Sequence, residues 1–157
     1  MILKLTKGLV PILLILSCTT AYANLTGEVN TNEILSLIAS QRGKVVLVNF
    51  WASWCPYCIK EIKELKEIRK RFSPEKLAII GISLDTSEAS YIRFVKKSKI
   101  NYPTYRSVDA SVGYLFNIVG IPMTDIYGRD GRLLKRFNGY VEPSVLMEFL
   151  RHYLKEE

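Results

Sequence analysis

Apolar and polar positions alternate along the chain in a way that predicts strands and helices in turn. Residues 45–51, Val-Val-Leu-Val-Asn-Phe-Trp, are almost continuously apolar and rich in β-branched side chains, as in a strand covered on both faces. Ile59, Ile62, Leu65, Ile68 and Phe72 then recur at helical spacing and stop before Ser73-Pro74. Pro56 stands near the first position of that helix, where its missing N–H is harmless. Residues 77–84 read as a second buried strand. Residues 87–97 read as a helix with Ile92 and Val95 inward and Lys96, Lys97 and Lys99 towards its C-terminal end. Upstream, residues 30–40 predict a short helix with Thr31 as N-cap and Ile34, Leu35 and Ile38 on one side. Residues 103–108 suit a short extended element and 111–117 a helical turn or two. Residues 123–127 and 133–137 flank Gly128-Arg129-Asp130-Gly131, a hairpin signal. Pro143 opens a last helix with Val145, Phe149, Leu150 and Tyr153 on its inner side. This order predicts an α/β fold, a mixed β-sheet flanked by helices.

The first residues do not belong to that pattern. Lys4 and Lys7 precede an apolar stretch over residues 9–16, and Ala21-Tyr22-Ala23 supplies a small-x-small cleavage site. We read residues 1–23 as a secretory signal peptide cut after Ala23, and residues 24–157 as one domain. The apolar stretch is too short for a span of roughly 20 residues. Ile15-Leu16-Ser17-Cys18 loosely resembles a lipoprotein lipobox, in which Cys18 would be acylated and tether the protein to a membrane. Leu16 fits that motif poorly, so the favoured expectation is that Cys18 leaves with the leader. The expected location is extracytoplasmic or periplasmic.

The formal charge of the 157-residue chain is +7, and losing Lys4 and Lys7 brings it to +5. Residues 60–67 intermix Lys and Glu, with Glu67 and Arg71 spaced as an i,i+4 pair, so the run reads as a solvated helix face. Export and the lack of a basic-aromatic platform argue against a nucleic-acid partner. A positive surface would attract anionic lipid only unspecifically.

Chemistry concentrates at Cys55-Pro56-Tyr57-Cys58, at the junction of the first buried strand and a helix start. A helix N-terminus offers partial positive charge and unpaired N–H groups that favour a thiolate on Cys55. Cys58 lies one turn on, close enough to close a disulfide. The extracytoplasmic setting permits a purely structural disulfide. A bridge across so short a loop constrains the unfolded chain little, however, so reversible dithiol chemistry explains the pair better. Cys55, nearer the helix start, is the expected nucleophile, and Cys58 the cysteine that resolves the mixed disulfide. Trp54 and Tyr57 are expected on the rim of a substrate surface and Trp51 in the core. A zinc half-site would need further ligands, and the one histidine, His152, is expected at the surface; no metal is expected.

The run Val48-Asn49-Phe50-Trp51-Ala52-Ser53-Trp54-Cys55 with Lys60-Glu61 beyond resembles the extracytoplasmic TlpA/ResA-like thiol-disulfide oxidoreductases. The resemblance continues through Val119-Gly120-Ile121-Pro122, Gly128-Arg129-Asp130-Gly131-Arg132-Leu133 and Gly139-Tyr140, covering roughly residues 31–154. It implies the thioredoxin fold, with Pro122 as a cis-proline packed beside the dithiol and Ile121 presenting backbone to an extended substrate. Trp54, Pro56, Tyr57, Ile121 and Pro122 would then form the substrate surface, and no cofactor is implied. Glu61 matches a glutamate of many ResA-like members. It is read either as a carboxylate that raises the thiol pKa or relays a proton with Cys58, or as an ordinary surface residue. Asn49 stands where thioredoxin has a buried aspartate. Met123-Thr124-Asp125 departs from the usual Thr-Thr-Phe after the proline. An acid in a half-buried strand is costly unless paired, so Asp125 is expected to face solvent at a strand end rather than serve as a relay.

The resemblance implies a reductase of protein disulfides, with apocytochrome c as one candidate substrate and a membrane thiol system as electron donor. A monomer is expected. An oxidase or isomerase remains the alternative direction of the same chemistry. A peroxiredoxin would want a proline ahead of its single peroxidatic cysteine, which residues 49–55 lack. A metal-delivery module would want a spaced histidine.

Overall fold

A computed structural model describes residues 26–155. The leader, its cleavage site and Cys18 lie outside the described residues. The chain runs β1 (Thr26–Val29), α1 (Thr31–Ser40), β2 (Val45–Trp51), α2 (Pro56–Arg71), β3 (Leu77–Ser83), α3 (Glu88–Ser98), β4 (Thr104–Ser107), α4 (Ser111–Leu115), β5 (Met123–Tyr127), β6 (Leu133–Asn138) and α5 (Pro143–Lys155). One sheet holds the strands in the order β1-β4-β3-β2-β5-β6. β1, β4, β3 and β2 are mutually parallel, whereas β5 runs antiparallel to both β2 and β6. The mixed sheet and its flanking helices are as the sequence predicts.

Every residue of β2 and β3 is buried, because helices cover both faces of the sheet. Val45, Leu47, Trp51, Leu77, Ile79 and Ile126 meet α2, α3 and α5 on one face. Val46, Val48, Phe50, Ile80, Ile82 and Met123 meet α1 and α4 on the other. Two adjacent residues of one strand therefore enter different cores, and that alternation separates the two polar networks described below.

Several local expectations are corrected. Asn30, not Thr31, caps α1, in a capping box with Glu33. The N–H and hydroxyl of Thr31 instead donate to Asp109, which ties α1 to the segment before α4. Ile92 is exposed, because α3 turns Tyr91, Phe94 and Val95 to the sheet, and a one-residue phase error rotates a side chain by about 100°. Val145 is exposed for the same reason; α5 buries Leu146, Met147, Leu150 and Leu154, with Phe149 and Tyr153 only flanking. Glu67 pairs with Lys70 one turn along rather than with Arg71. β1 carries no strand signal in the sequence, since its four residues include a glycine and bury only Val29. Among the described residues no helix is long and apolar enough to cross a membrane.

Candidate active site

β2 ends at Trp51, and the chain turns through Ala52-Ser53-Trp54 before α2 begins. Asp85, just past the end of β3, fixes that turn: Ser53 donates to its carboxylate from N–H (3.0 Å) and hydroxyl (2.8 Å), and the Ser83 hydroxyl donates at 2.7 Å. Asp85 is itself buried. Cys55 therefore arrives at the helix cap from a held backbone. It is the N-cap of α2, accepting the Cys58 N–H on its Sγ at 3.2 Å, with Pro56 at the first helical position. Such a cap supplies the N–H groups and dipole that would favour a Cys55 thiolate on reduction.

Cys55 and Cys58 are joined as a disulfide, with Cα atoms 5.2 Å apart. Cys55 is 5% exposed and Cys58 fully buried, so an incoming sulfur can meet only Cys55. The Ile121–Pro122 peptide is cis, and the Ile121 carbonyl oxygen lies 3.7 Å from Cys55 Sγ. Pro122 is buried, and its carbonyl accepts the Gly139 N–H at 2.8 Å. Trp54 (69% exposed) and Tyr57 (65%) stand out at the rim, whereas Trp51 is fully buried. The Tyr57 ring lies 6.3 Å from that of Tyr140, and Lys60 Nζ sits 4.0 Å over the Tyr140 ring. The structure thus brings Cys55, Cys58, Trp54, Pro56, Tyr57, Ile121 and Pro122 to one end of the sheet.

Glu61 is not a surface residue. It is 1% exposed, one helical turn beyond Cys58 on the buried side of α2. The Asn49 amide donates to Oε2 at 3.2 Å and the Thr124 hydroxyl to Oε1 at 3.3 Å, while the Val141 N–H also donates to the carboxylate. The Asn49 amide donates to Thr124 Oγ1 at 3.0 Å as well, which leaves the Thr124 proton for Glu61. Burial pushes the Glu61 pKa up to about 7, against the lowering effect of these three donors. The same carboxylate helps burial raise the Tyr102 hydroxyl. A carboxyl that gains and loses its proton near neutrality, one turn from a cysteine, can exchange protons with the thiol chemistry.

Asp125 does not face solvent, contrary to expectation. It is fully buried on the opposite face of β5 from Thr124, and Arg136 of β6 clamps it with two hydrogen bonds of 2.6 Å. The Tyr127 hydroxyl adds a third donor at 3.3 Å. The cost of burying an acid is offset by a cation on the neighbouring strand.

Thr124 and Asp85 are the contributors that sequence reasoning missed. Asp85 carried a signal, because an acid directly after a buried parallel strand stands at the end of the sheet where α/β sites gather. Among the described residues no group of three or more His, Cys, Asp or Glu side chains is placed to hold a metal ion.

A family model described as the AhpC/TSA family matches residues 20–136. No curated protein matches the chain. Among solved structures, a thiol-disulfide isomerase from Corynebacterium glutamicum superposes with a TM-score of 0.71 at 21% identity, over 76% of this chain and 86% of that one. A thioredoxin family thiol:disulfide interchange protein from Chlorobium tepidum gives 0.66 at 24% identity, over 74% and 83%. A secreted Mycobacterium tuberculosis disulfide oxidoreductase homologous to E. coli DsbE gives 0.64 at 22% identity, over 73% and 85%. These likenesses give the chain the thioredoxin fold.

Proposed function

The chain belongs to the AhpC/TSA family, and from that premise we propose that it is an exported thiol-disulfide oxidoreductase working mainly as a reductase of protein disulfides. The observation that carries this reading is the pairing of a nearly buried Cys55 at a helix cap with a fully buried Cys58 in one disulfide. In the reduced protein the Cys55 thiolate attacks one sulfur of the partner disulfide. A Cys55–partner bond forms, and the other partner sulfur leaves as a thiolate. Cys58, deprotonated, then attacks Cys55 Sγ, closing the Cys55–Cys58 disulfide and expelling the second partner thiolate. Two electrons pass to the partner, and protons released by the two cysteines go to the departing thiolates. Glu61, one helical turn from Cys58 and with its pKa raised to about 7 by burial, would take the Cys58 proton.

Trp54, Tyr57 and the Ile121 backbone would receive the partner beside the disulfide. Export through residues 1–23, regeneration by a membrane dithiol donor, and apocytochrome c as a substrate extend the same reading. Ranges of protein potentials make the direction testable. Equilibration with defined thiol/disulfide buffers should give a reduction potential around −270 mV or lower, and a value near −120 mV would reverse the proposed direction of electron flow.

Peroxide reduction is the second reading, since it needs only the Cys55 thiolate and a resolving thiol. The sequence before Cys55 lacks the proline such a site wants, and Cys58 one turn away suits disulfide exchange. Turnover of hydrogen peroxide with a dithiol reductant at rates matching disulfide reduction would favour the peroxidase.

A further inference from the structure

A groove of about 520 Å³ runs between α2 and α3, and none of its lining belongs to the Ile121–Pro122 side of the dithiol. Two of its lining residues flank the dithiol in sequence: Ser53 precedes Trp54-Cys55 and Ile59 directly follows Cys58. Its floor is apolar, made by Ile59, Ile62 and Phe94. Its walls carry Lys63 and Lys66 from α2 and Lys97 from α3, and among the described residues no Asp or Glu lines it. Lys66 Nζ donates to the Ser98 carbonyl at 2.6 Å, which holds one ammonium across the groove between the two helices. Of the acids of α2, Glu61 is buried, Glu67 bonds Lys70 while also feeling Lys66, and Glu64 acts on Lys60.

Like charges gathered round an apolar floor repel one another, and a guest that brings the opposite charge with some apolar surface removes that cost. We propose that this groove docks an acidic segment of the partner protein, with Asp or Glu carboxylates on Lys63, Lys66 and Lys97 and an apolar side chain on the floor. The proposal rests on the dithiol-exchange reading and adds to it the class of substrate: a disulfide flanked by acidic residues. An extended chain advances about 3.3 Å per residue, so the acids expected to dock are those within a few residues of the partner cysteine.

The test uses the reduced full chain and synthetic peptide disulfides that are alike except for acidic, neutral or basic flanks. In about 20 mM salt the acidic peptide should exchange roughly tenfold faster than the neutral one, and about 0.5 M salt should erase the gain. The Lys63→Glu/Lys97→Glu variant should lose the preference and keep the wild-type rate with hydroxyethyl disulfide, a small uncharged substrate. Both lysines are exposed, so the fold is spared, and Lys63→Gln/Lys97→Gln should show an intermediate loss. Equal rates for acidic and neutral peptides, or a preference that survives charge reversal, would overturn the docking. So would binding of anionic phosphatidylglycerol vesicles that depends on these lysines without any peptide preference, because a lipid surface would then be the ligand. No exchange with hydroxyethyl disulfide would sink the dithiol reading instead. The groove would still be decided by titrating a cysteine-free acidic peptide into the oxidised protein, where loss of binding in the charge-reversed variant supports the docking and undiminished binding refutes it.

Discussion

Glu61 and Asp125 are both carboxylates sealed inside this protein, and they have opposite surroundings. Thr124, which bonds Glu61, and Asp125 are neighbours on β5, yet they enter different faces of the sheet. Asp125 meets a guanidinium that matches both its oxygens. Among the described residues Glu61 meets only neutral donors, from Asn49, Thr124 and the Val141 backbone. Burial alone therefore says little about function. At Asp125 a counter-ion closes the charge and ties β5 to β6, whereas Glu61, held by dipoles alone beside the dithiol, has its pKa raised to about 7 and is the candidate for proton exchange.

The largest effect expected from breaking this contrast lies on the Asp125 side. Arg136→Met leaves a buried charge without its cation and should cost about 3 to 4 kcal/mol in urea unfolding, towards the low end for buried pairs because Arg136 is 24% exposed. Thiol exchange by the folded variant should stay close to wild type. On the Glu61 side the effect is one of pH. Its folded pKa of about 7 lies above the ordinary 4.5, so its contribution is fully present below pH 4.5 and lost as pH rises through 7. The oxidised protein, whose cysteines do not titrate, should lose about 3 kcal/mol across that window, and Glu61→Gln should flatten the profile. Thr124→Val removes one donor worth about 1 kcal/mol and should move the Glu61 titration upward by somewhat less than one pH unit. Glu67→Gln, which breaks the exposed pair with Lys70, should leave the urea-unfolding midpoint nearly unchanged, against the loss at Arg136.

What could be read from the sequence follows the same division. The dithiol, its helix start and both buried strands announce themselves through local spacing: apolar runs, Cys-Pro-Tyr-Cys and the proline at the first helical position are all contiguous. The environments of the two acids are not. Asp125 is buried because Arg136 stands opposite it in a hairpin register, and nothing local in Met123-Thr124-Asp125 reveals that partner. Helical phase leaves Glu61 near the boundary of the buried side, and only the packing of Asn49, Thr124 and Val141 closes it off. The phases of α3 and α5 slipped for a related reason. Ile92 and Val145 lie one residue from the true inward positions, and aliphatic residues on both flanks blur a periodicity of 3.6.

The most direct test of the distinction is the pH dependence of Cys55 and Cys58 alkylation in the reduced protein, compared between wild type and Glu61→Gln. The wild-type profile should show an inflection near pH 7 from Glu61 beside the thiol titrations, and the glutamine variant should lose it with the remaining thiol step displaced. Superimposable profiles would mean that Glu61 is buried near the dithiol without being coupled to it, and would contradict the account.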